Sequence, residues 1–340
     1  MALISKSASI FFIFTCLLIT THVYADCRGC CNGHGGTVCI NGVTKCADGT
    51  ELSDKCSDNG CDVCDAQEST NNPKTTIKIA SFNIQIFGKN KASEPEVIKT
   101  LAKIVSRFDV VAIQEIREKT NTAVTALDSA LEALGEKYDY VIGPRLGRSN
   151  TKEQYAFFYR ASVLRIGETY TYKELGADYI HREPLVSQFF SKRSTFDFVL
   201  INAHIDPDDV DREISVYPEI VADAQKRLGD EDIMIMGDFN ADCGYFDEDK
   251  QIKLRDKRKF KWLIANQLDS TVAKDSCAYD RMIVTRSMAK QFTGKAGVFP
   301  FDIVYDLDVE PKEISDHYPV YAVFSYNVTD KLSKNSFVVY

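Results

Sequence analysis

From residue 76 onward, apolar segments with strand-like spacing alternate with amphipathic segments of helical spacing, and this order constrains the fold more than any other feature. Residues 76–84 are β-branched and alternating, residues 96–108 place Val97, Leu101 and Ile104 on one helical face, and residues 109–113 are apolar again. A chain that alternates strands and helices in this way is expected to form an α/β domain.

The same patterns continue along the rest of the domain, which we predict to span residues 76–328, with a tail at 329–340. Further strands are predicted at 138–142, 154–159, 185–191, 196–203, 233–236, 282–284 and 318–326. Further helices are predicted at 122–135, 212–228 and 260–265.

A second kind of segment precedes this domain. Eight of the 11 cysteines fall in residues 26–65, which hold almost no large apolar residues. Because such a segment cannot bury a core, we predict a disulfide-stapled module. A zinc site built on its two Cys-x-x-Cys pairs, with His34 as a spare ligand, is the alternative interpretation. Residues 66–75, which are polar and end near a proline, are predicted to be a linker.

The first 25 residues are typical of a secretory signal peptide. Lys6 precedes an uncharged stretch at 8–20 rich in Ile, Phe and Leu, and cleavage is predicted near Ala25. This stretch is shorter than the roughly 20 apolar residues of a membrane-spanning helix, so no stable membrane insertion is expected. Ten cysteines remain once the signal peptide is removed, an even number that can all form disulfides. This fits export, since oxidising compartments preserve disulfides.

The charge of the chain restricts how it can contact nucleic acid. The net charge of −8 becomes −9 when Lys6 is removed with the signal peptide. An acidic protein is repelled by a polyanion at long range. Contact with DNA would therefore have to be local, through a few arginines and through cations held by carboxylates.

Polar clusters lie at the ends of the predicted strands, and the one at 315–317 precedes the last strand whereas the others end or follow theirs. They lie at residue 83 and at 114–115, 202–204, 237–240 and 315–317. Any one of them could be a simple turn. Because the strand ends of an α/β sheet converge on one crevice, however, the five clusters together predict carboxylates, amides and two imidazoles at one site.

The two imidazoles in these clusters belong to His204 and His317, whereas His181 lies in a polar turn. Carboxylate oxygens suit a hard cation such as Mg²⁺ or Ca²⁺. A cation beside two histidines can hydrolyse phosphodiesters, with one histidine accepting a proton and the other donating one. Glu153 and Asp280 are candidate carboxylates to hold the imidazole tautomers.

Seven motifs resemble those of the deoxyribonuclease I family, in the same order. They are SFNI at 81–84, QEIR at 114–117, REP at 182–184, NAH at 202–204, GDFNADC at 237–243, CAYDR at 277–281 and SDHYP at 315–319. The resemblance runs from about residue 77 to 326. It implies a four-layer α/β sandwich, with helices outside two packed sheets, and a metal-dependent endonuclease that hydrolyses DNA.

Carried over residue by residue, the resemblance implies three groups. The residues implied in catalysis are His204, His317, Glu153, Asp280, Asp238 and Asn240. The residues implied in metal binding are Glu115, Asn83, Asp316 and Asp238. The residues implied in substrate contact are Arg117, Arg182, Asn240, Tyr279 and Thr271.

Within the catalytic group, the resemblance pairs His204 with Glu153 and His317 with Asp280, and it leaves open which histidine is the base. It also implies Mg²⁺ or Mn²⁺ at the active site and Ca²⁺ as a structural or activating ion. The expected partner is double-stranded DNA, cut by a secreted monomer.

Cys243 and Cys277 match the structural disulfide of the family, and they are the only cysteines of the α/β domain. A bridge between them closes a loop of about 35 residues, worth roughly 3 to 4 kcal/mol of loop entropy. We expect it to brace the site, because Asp238 and Asp280 lie beside its two ends.

Two departures from the family concern DNA contact. Gln85 stands where the family has an arginine, and Thr151 stands where it has a tyrosine that stacks in the minor groove. Such contacts are worth roughly 1 to 3 kcal/mol each where they are made. We therefore expect weaker binding of double-stranded DNA or a changed sequence preference, with hydrolysis of the phosphodiester bond retained.

Two other functions stay open at this point. A lipid phosphodiesterase related to sphingomyelinases or phosphoinositide phosphatases would use the same machinery, but the CAYDR motif at 277–281 and the lack of an evident apolar membrane loop argue against it. A binding protein on an inactive scaffold is the other alternative, although no implied catalytic residue is missing. Asn327 lies in an Asn-x-Thr sequence that a glycosylating host could modify.

Overall fold

The computed structural model describes residues 37–40, 43–46, 76–148, 152–174, 176, 178–248, 250–273 and 276–326. The predicted signal peptide, linker and C-terminal tail lie outside these residues, as do Thr151 and Asn327. Of the Cys-rich segment, the structure describes the backbone of one antiparallel pair, β1 (Thr37–Ile40) and β2 (Val43–Cys46). The disulfide and zinc interpretations of that segment therefore stay predictions.

Twelve further strands and six helices lie in the described part of the large domain. The strands are β3 (Thr76–Phe87), β4 (Val110–Ile116), β5 (Tyr138–Ile142), β6 (Gln154–Arg160), β7 (Leu164–Thr171), β8 (Leu185–Ser191), β9 (Asp197–His204), β10 (Ile233–Asp238), β11 (Phe260–Trp262), β12 (Asp280–Thr285), β13 (Phe292–Val298) and β14 (Val320–Ser325). The helices are α1 (Lys89–Ser93), α2 (Pro95–Val105), α3 (Thr122–Ala133), α4 (Val210–Leu228), α5 (Phe301–Val304) and α6 (Pro311–Ile314). Two short 3-10 helices lie at Lys253–Arg255 and Met288–Lys290.

These strands form two six-stranded mixed sheets. The first has the order β13-β14-β3-β4-β6-β5, and the second has the order β11-β12-β10-β9-β8-β7. Their facing sides enclose an apolar core that includes Phe157, Leu200 and Met236. Helices α2 and α3 pack on the outer side of the first sheet, and α4 packs on the outer side of the second. The predicted four-layer α/β sandwich is therefore confirmed.

A buried polar network joins the two sheets close to one edge. The Gln114 side-chain amide donates to Asn202 Oδ1 at 2.6 Å and to Ser81 Oγ at 3.0 Å. Asn202 in turn donates to the backbone carbonyls of Ile113 and Ala156, both at 3.1 Å. Because buried polar groups are costly unless they are paired, this network fixes the position of one sheet on the other.

Most predicted elements are present, with shifted ends, but the helix predicted at 260–265 is wrong. That segment is strand β11, which pairs antiparallel with β12 through Phe260 opposite Thr285 and Trp262 opposite Ile283. Phe260 is buried and Lys261 is exposed, an alternation that suits the edge of a sheet. The sequence patterns also missed β7 and β13, whose glycines and charged residues at exposed positions hide the strand period.

Candidate active site

Three neighbouring strands of the second sheet bring the first site residues together. Asp238, the last residue of β10, pairs in register with His204 at the end of β9 and with Asp280 at the start of β12. Gly237 makes this register possible: its φ is +147°, and a Cβ on it would lie 1.9 Å from the carbonyl oxygen of Ala203. Only glycine allows β9 and β10 to approach so closely there.

The first sheet contributes through a bulge in β3. The β3–β4 register shifts between Asn83 and Phe87, and Ile86 and Glu115 take positive φ values of 51° and 61°. The Ile86 backbone N–H donates to Glu115 Oε2 at 2.8 Å. Positive φ is strained for a β-branched residue, and such strain is often found at functional sites. The bulge thereby fixes the Glu115 carboxylate toward the crevice.

His204 forms one buried histidine–carboxylate pair. Its Nδ1 lies 2.6 Å from Glu153 Oε1, and Arg182 Nε lies 2.9 Å from the same oxygen. Arg117 Nε approaches the other Glu153 oxygen at 3.5 Å. Burial raises the pKa of Glu153, but His204 and the two arginines outweigh it and leave that pKa below its ordinary value. Burial also opposes protonation of His204, yet Glu153 raises its pKa above the ordinary range.

His317 forms the second pair, with Asp280. Its Nδ1 lies 2.7 Å from Asp280 Oδ2. The Ser315 hydroxyl accepts the His317 backbone N–H at 3.0 Å, and the Ser270 hydroxyl accepts that of Asp280 at 3.1 Å. Burial lowers the pKa of His317, but the carboxylates of Asp280 and Asp238 outweigh it and raise it to about 10.

The two pairs converge on one oxygen. His204 Nε2 lies 3.6 Å from Asp238 Oδ2, and His317 Nε2 lies 3.5 Å from the same atom. The two imidazoles hold the pKa of Asp238 below its ordinary value although burial raises it. The Asn240 backbone N–H donates to Asp238 Oδ1 at 3.0 Å, and the Asn240 side chain donates to the Ile205 carbonyl at 2.9 Å. Two Nε2 atoms thus face the same space.

The residues predicted to bind metal lie against this space. Asn83 Nδ2 donates to Glu115 Oε1 at 3.2 Å and to Asp238 Oδ2 at 3.0 Å. Gln85 Nε2 donates to Asp316 Oδ2 at 2.8 Å. Asn83 Oδ1 and Asp316 Oδ1 are buried oxygens without a hydrogen-bond partner among the described residues. Carboxylate and amide oxygens of this kind fit a hard divalent cation.

Groups that could hold a metal also form around each histidine. In the described part of the chain, one comprises Glu115, Glu153 and His204, and the other comprises Asp238, Asp280 and His317. The ligand atoms within each group lie within 4.8 Å of one another. Of the predicted metal residues, Glu115 therefore lies beside the His204 pair, and Asp238 lies beside His317 as well as His204.

The predicted substrate-contact residues surround the crevice, but two of them are engaged by carboxylates. Arg117 Nη2 lies 3.0 Å from Glu115 Oε2, and Arg182 contacts Glu153. The Tyr279 ring is 6.3 Å from the His317 ring, and Thr271 pairs with His317 through an isolated β-bridge. Arg117 and Arg182 can therefore orient carboxylates as well as meet phosphate.

Two residues that position the site, Tyr155 and Ser315, were not predicted from the sequence to do so. Tyr155 is buried, and its hydroxyl accepts the His204 backbone N–H at 3.0 Å. The Ser315 hydroxyl also donates to the Asn83 carbonyl at 2.6 Å, which ties two clusters together. Polar side chains within apolar strands, such as Tyr155 in β6, are the signal that could have indicated these positions.

The predicted disulfide between Cys243 and Cys277 is present, with a Cα–Cα distance of 5.9 Å. Asp242 accepts the backbone N–H groups of Cys243 and Ala278, each at 2.6 Å. The bridge and this carboxylate together join the loop after β10 to the start of β12. They help to hold Asp238 and Asp280 side by side on the adjacent strands β10 and β12.

Comparison with known proteins first identifies the broad protein family to which this chain belongs. Residues 80–317 match the Endonuclease/Exonuclease/phosphatase family. A protein of that family from Bacteroides thetaiotaomicron has the same fold, with a TM-score of 0.53 and 20% identity over 74% of this chain and 96% of its own. A second structure, from Bacteroides vulgatus, gives 0.53 and 16% over 75% and 100%. The chain belongs to the endonuclease/exonuclease/phosphatase family.

Closer relatives narrow this further. Deoxyribonuclease-1 of Bos taurus is 37% identical over 256 residues, which cover 72% of this chain and 91% of the relative. Deoxyribonuclease gamma of Homo sapiens is 35% identical over 257 residues, covering 72% and 84%. Within the superfamily, the chain therefore belongs to the deoxyribonuclease I family, as its motifs predicted. The family match begins at residue 80, beyond the Cys-rich segment.

Proposed function

We propose that this protein is a divalent-metal-dependent endonuclease that hydrolyses DNA phosphodiester bonds. The observation that carries this function is the pair of buried imidazoles, each with Nδ1 held by a carboxylate and Nε2 facing Asp238. The substrate class comes from the relatives, which are named deoxyribonucleases.

The two histidines supply proton transfer on opposite sides of the scissile phosphate. Glu153 accepts a hydrogen bond from His204 Nδ1, and Asp280 accepts one from His317 Nδ1. Each carboxylate therefore favours the tautomer with its proton on Nδ1, which leaves Nε2 facing the substrate. One Nε2 accepts the proton of the attacking water, and the other donates a proton to the leaving oxygen. Asp238 lies between them and stabilises the imidazolium forms.

The phosphate is held by groups around these histidines. Asn240 lies beside Asp238, and Arg117 and Arg182 line the same crevice. A divalent cation bound by Asn83, Glu115, Asp238 and Asp316 would neutralise charge that builds up on the phosphate oxygens. We propose Mg²⁺ or Mn²⁺ in this role and Ca²⁺ as a structural or activating ion.

The cellular setting belongs to the same proposal. The predicted signal peptide at residues 1–25 and the Cys243–Cys277 disulfide support a secreted enzyme, since oxidising compartments preserve disulfides. None of the helices in the described ranges is long and apolar enough to cross a membrane. We propose a monomer that cuts double-stranded DNA, with Gln85 holding Asp316 where the family places an arginine.

Cleavage of supercoiled plasmid by the mature protein tests this function. We expect nicking with Mg²⁺ and Ca²⁺, none with EDTA, and a loss of about 10²- to 10⁴-fold in His204→Ala and in His317→Ala. His181→Ala is the matched control, because His181 pairs with Asp206 rather than Asp238. Intact plasmid together with hydrolysis of sphingomyelin or a phosphoinositide would favour the lipid enzyme, and inactivity on every substrate would favour a binding protein.

A further inference from the structure

Residues 253–261 carry a local positive charge that contrasts with the rest of the chain. Six of these nine residues are Lys or Arg and one is Asp, a net charge of +5 in a protein whose total is −8. The basic residues are Lys253, Arg255, Lys257, Arg258, Lys259 and Lys261. Charge asymmetry on this scale points to a polyanionic partner.

Five of the six basic residues of this segment are exposed. Lys253, Lys257, Lys259 and Lys261 are exposed, and the Arg258 side chain is 89% exposed. The remaining basic residue, Arg255, lies over the Trp262 ring at 4.5 Å and has a packing role. Asp256, the single acidic residue, accepts two hydrogen bonds of 3.0 Å from the Arg258 guanidinium.

A neighbouring turn extends this surface. The Arg286 backbone N–H donates to the Lys259 carbonyl at 2.9 Å, and both Arg286 and Lys290 are exposed. We call the whole surface the basic edge. Its members are Lys253, Lys257, Arg258, Lys259, Lys261, Arg286 and Lys290. The Thr285 hydroxyl, at the end of β12 beside this surface, donates to the Glu231 carbonyl at 2.7 Å, so an acidic loop borders the basic edge.

The basic edge lies at a defined place relative to the site. Phe260 pairs with Thr285, at the opposite end of β12 from Asp280. Asp280 and Thr285 are five residue steps apart along the strand, about 17 Å at roughly 3.4 Å per residue. A DNA strand rises about 3.4 Å per nucleotide, so a duplex that runs along β12 from the site would reach the basic edge after about five base pairs.

We propose that the basic edge is a second DNA-binding surface, which contacts backbone phosphates of the substrate beyond the cleavage site. The proposal rests on the function proposed above. Separate lysine ammonium groups without a shaped pocket suit the repeated phosphates of a polymer rather than one small anion. The surface also gives this acidic protein the local attraction to DNA that its net charge opposes.

A lipid surface fits the basic edge less well. Helices and loops that bind membrane surfaces combine basic residues with exposed apolar side chains. Among the described residues, the exposed large hydrophobic side chains are Ile86, Leu134, Tyr179 and Tyr245, and none belongs to the basic edge. Because the basic edge is positively charged and has no large exposed apolar side chain, it fits DNA better than a membrane surface.

Two triple variants with equal charge change test the proposal. The first is Lys253→Gln, Lys257→Gln and Lys259→Gln, and the control is Lys99→Gln, Lys137→Gln and Lys226→Gln. All six lysines are exposed, so folding should be preserved in both variants. The measurements are KM and kcat on a long duplex, and on a hairpin duplex of about eight base pairs, as a function of salt concentration.

We expect the basic-edge variant to raise KM for the long duplex on the order of tenfold at low salt. It should lower the slope of log KM against log salt by about one per lysine, with kcat unchanged. The short hairpin and the control variant should show little change. If both triple variants shift KM equally, net charge alone is responsible and the proposal is wrong; it is equally wrong if neither variant shifts it.

A binding measurement separates this proposal from the catalytic one. Both triple variants are combined with His317→Ala, and their affinity for labelled long DNA is followed by fluorescence anisotropy. A loss of affinity confined to the basic-edge variant supports the surface even if the wild-type protein cuts no DNA. Unchanged DNA affinity with weakened binding to anionic vesicles would overturn the assignment to DNA.

Discussion

The two histidine–carboxylate pairs have nearly the same geometry and opposite surroundings. Their Nδ1–carboxylate distances are 2.6 and 2.7 Å, and their Nε2 atoms lie 3.6 and 3.5 Å from Asp238. Glu153 contacts two arginines as well as His204, whereas His317 lies among the carboxylates of Asp280, Asp238 and Asp316. Equal geometry therefore does not mean equal function.

This difference gives the two carboxylates different functions: Asp280 orients its histidine, whereas Glu153 also stabilises the structure around its own. Glu153 is buried and contacts the guanidinium groups of both Arg182 and Arg117, so its negative charge compensates their positive charges on this side of the crevice. Asp280 has His317 as its ionisable partner and holds one tautomer in place. Removing each carboxylate should thus produce different losses, which the first two predictions below test; the third tests the pH response of the His204 side.

The largest effect is expected on activity, from Asp280→Asn. An asparagine can present its amide N–H to His317 Nδ1, which selects the wrong tautomer, so kcat should fall on the order of 10³- to 10⁴-fold. The free energy of unfolding should fall less than when Glu153 is replaced, because His317 can release its proton once its carboxylate is gone, whereas the arginines beside Glu153 stay charged. Plasmid nicking and urea unfolding measure the two quantities, and a large stability loss with retained kcat would contradict the role given to Asp280.

Glu153→Gln should instead lower stability as well as activity. Removal of one partner of a buried ion pair typically costs about 3 to 5 kcal/mol, and here Arg182 would lose its carboxylate. The control is Glu136→Gln, which breaks the partly exposed ion pair with Arg160 and should cost about 1 kcal/mol or less. Equal unfolding free energies for the two variants would remove the distinction drawn between the histidine pairs.

The comparison also shows what sequence patterns can reveal. Periodicity predicted an α/β domain, and the resemblance to the deoxyribonuclease I family implied its four layers. The polar clusters at strand ends predicted residues that the fold brings together, because strand ends share one edge. The patterns could not show that Arg117 and Arg182 contact carboxylates, since side-chain partners depend on how loops meet. Segment 260–265 was misread because its alternation covers only three residues of β11.

A third, smaller effect concerns pH and arises on the His204 side. Glu213 is buried on α4, and its Oε1 accepts the backbone N–H groups of His181 at 3.0 Å and Asp206 at 3.4 Å. Those residues lie next to Arg182 and close after His204. Burial raises the pKa of Glu213 to about 7 from its ordinary value of 4.5. Its titration should therefore change stability near neutral pH.

The sign follows from proton binding. Between pH 4.5 and 7 the folded protein keeps a proton on Glu213 that the unfolded chain releases. Stability from this group is present at low pH and is lost as pH rises through about 7, by about 2 kcal/mol between pH 5.5 and 8. Glu213→Gln keeps the acceptor oxygen and removes the titration, so its unfolding free energy should depend less on pH by that amount.

Glu219→Gln is the matched control for this prediction, because Glu219 is exposed on the same helix and loses the same charge. Urea unfolding of both variants and of the wild type at pH 5.5 and 8 gives the comparison. If Glu213→Gln and Glu219→Gln show the same pH dependence, the Glu213 carboxylate is solvated well enough to ionise freely. The pH response of the His204 side would then have to come from the histidine pair itself, which would make the two pairs more alike than their surroundings indicate.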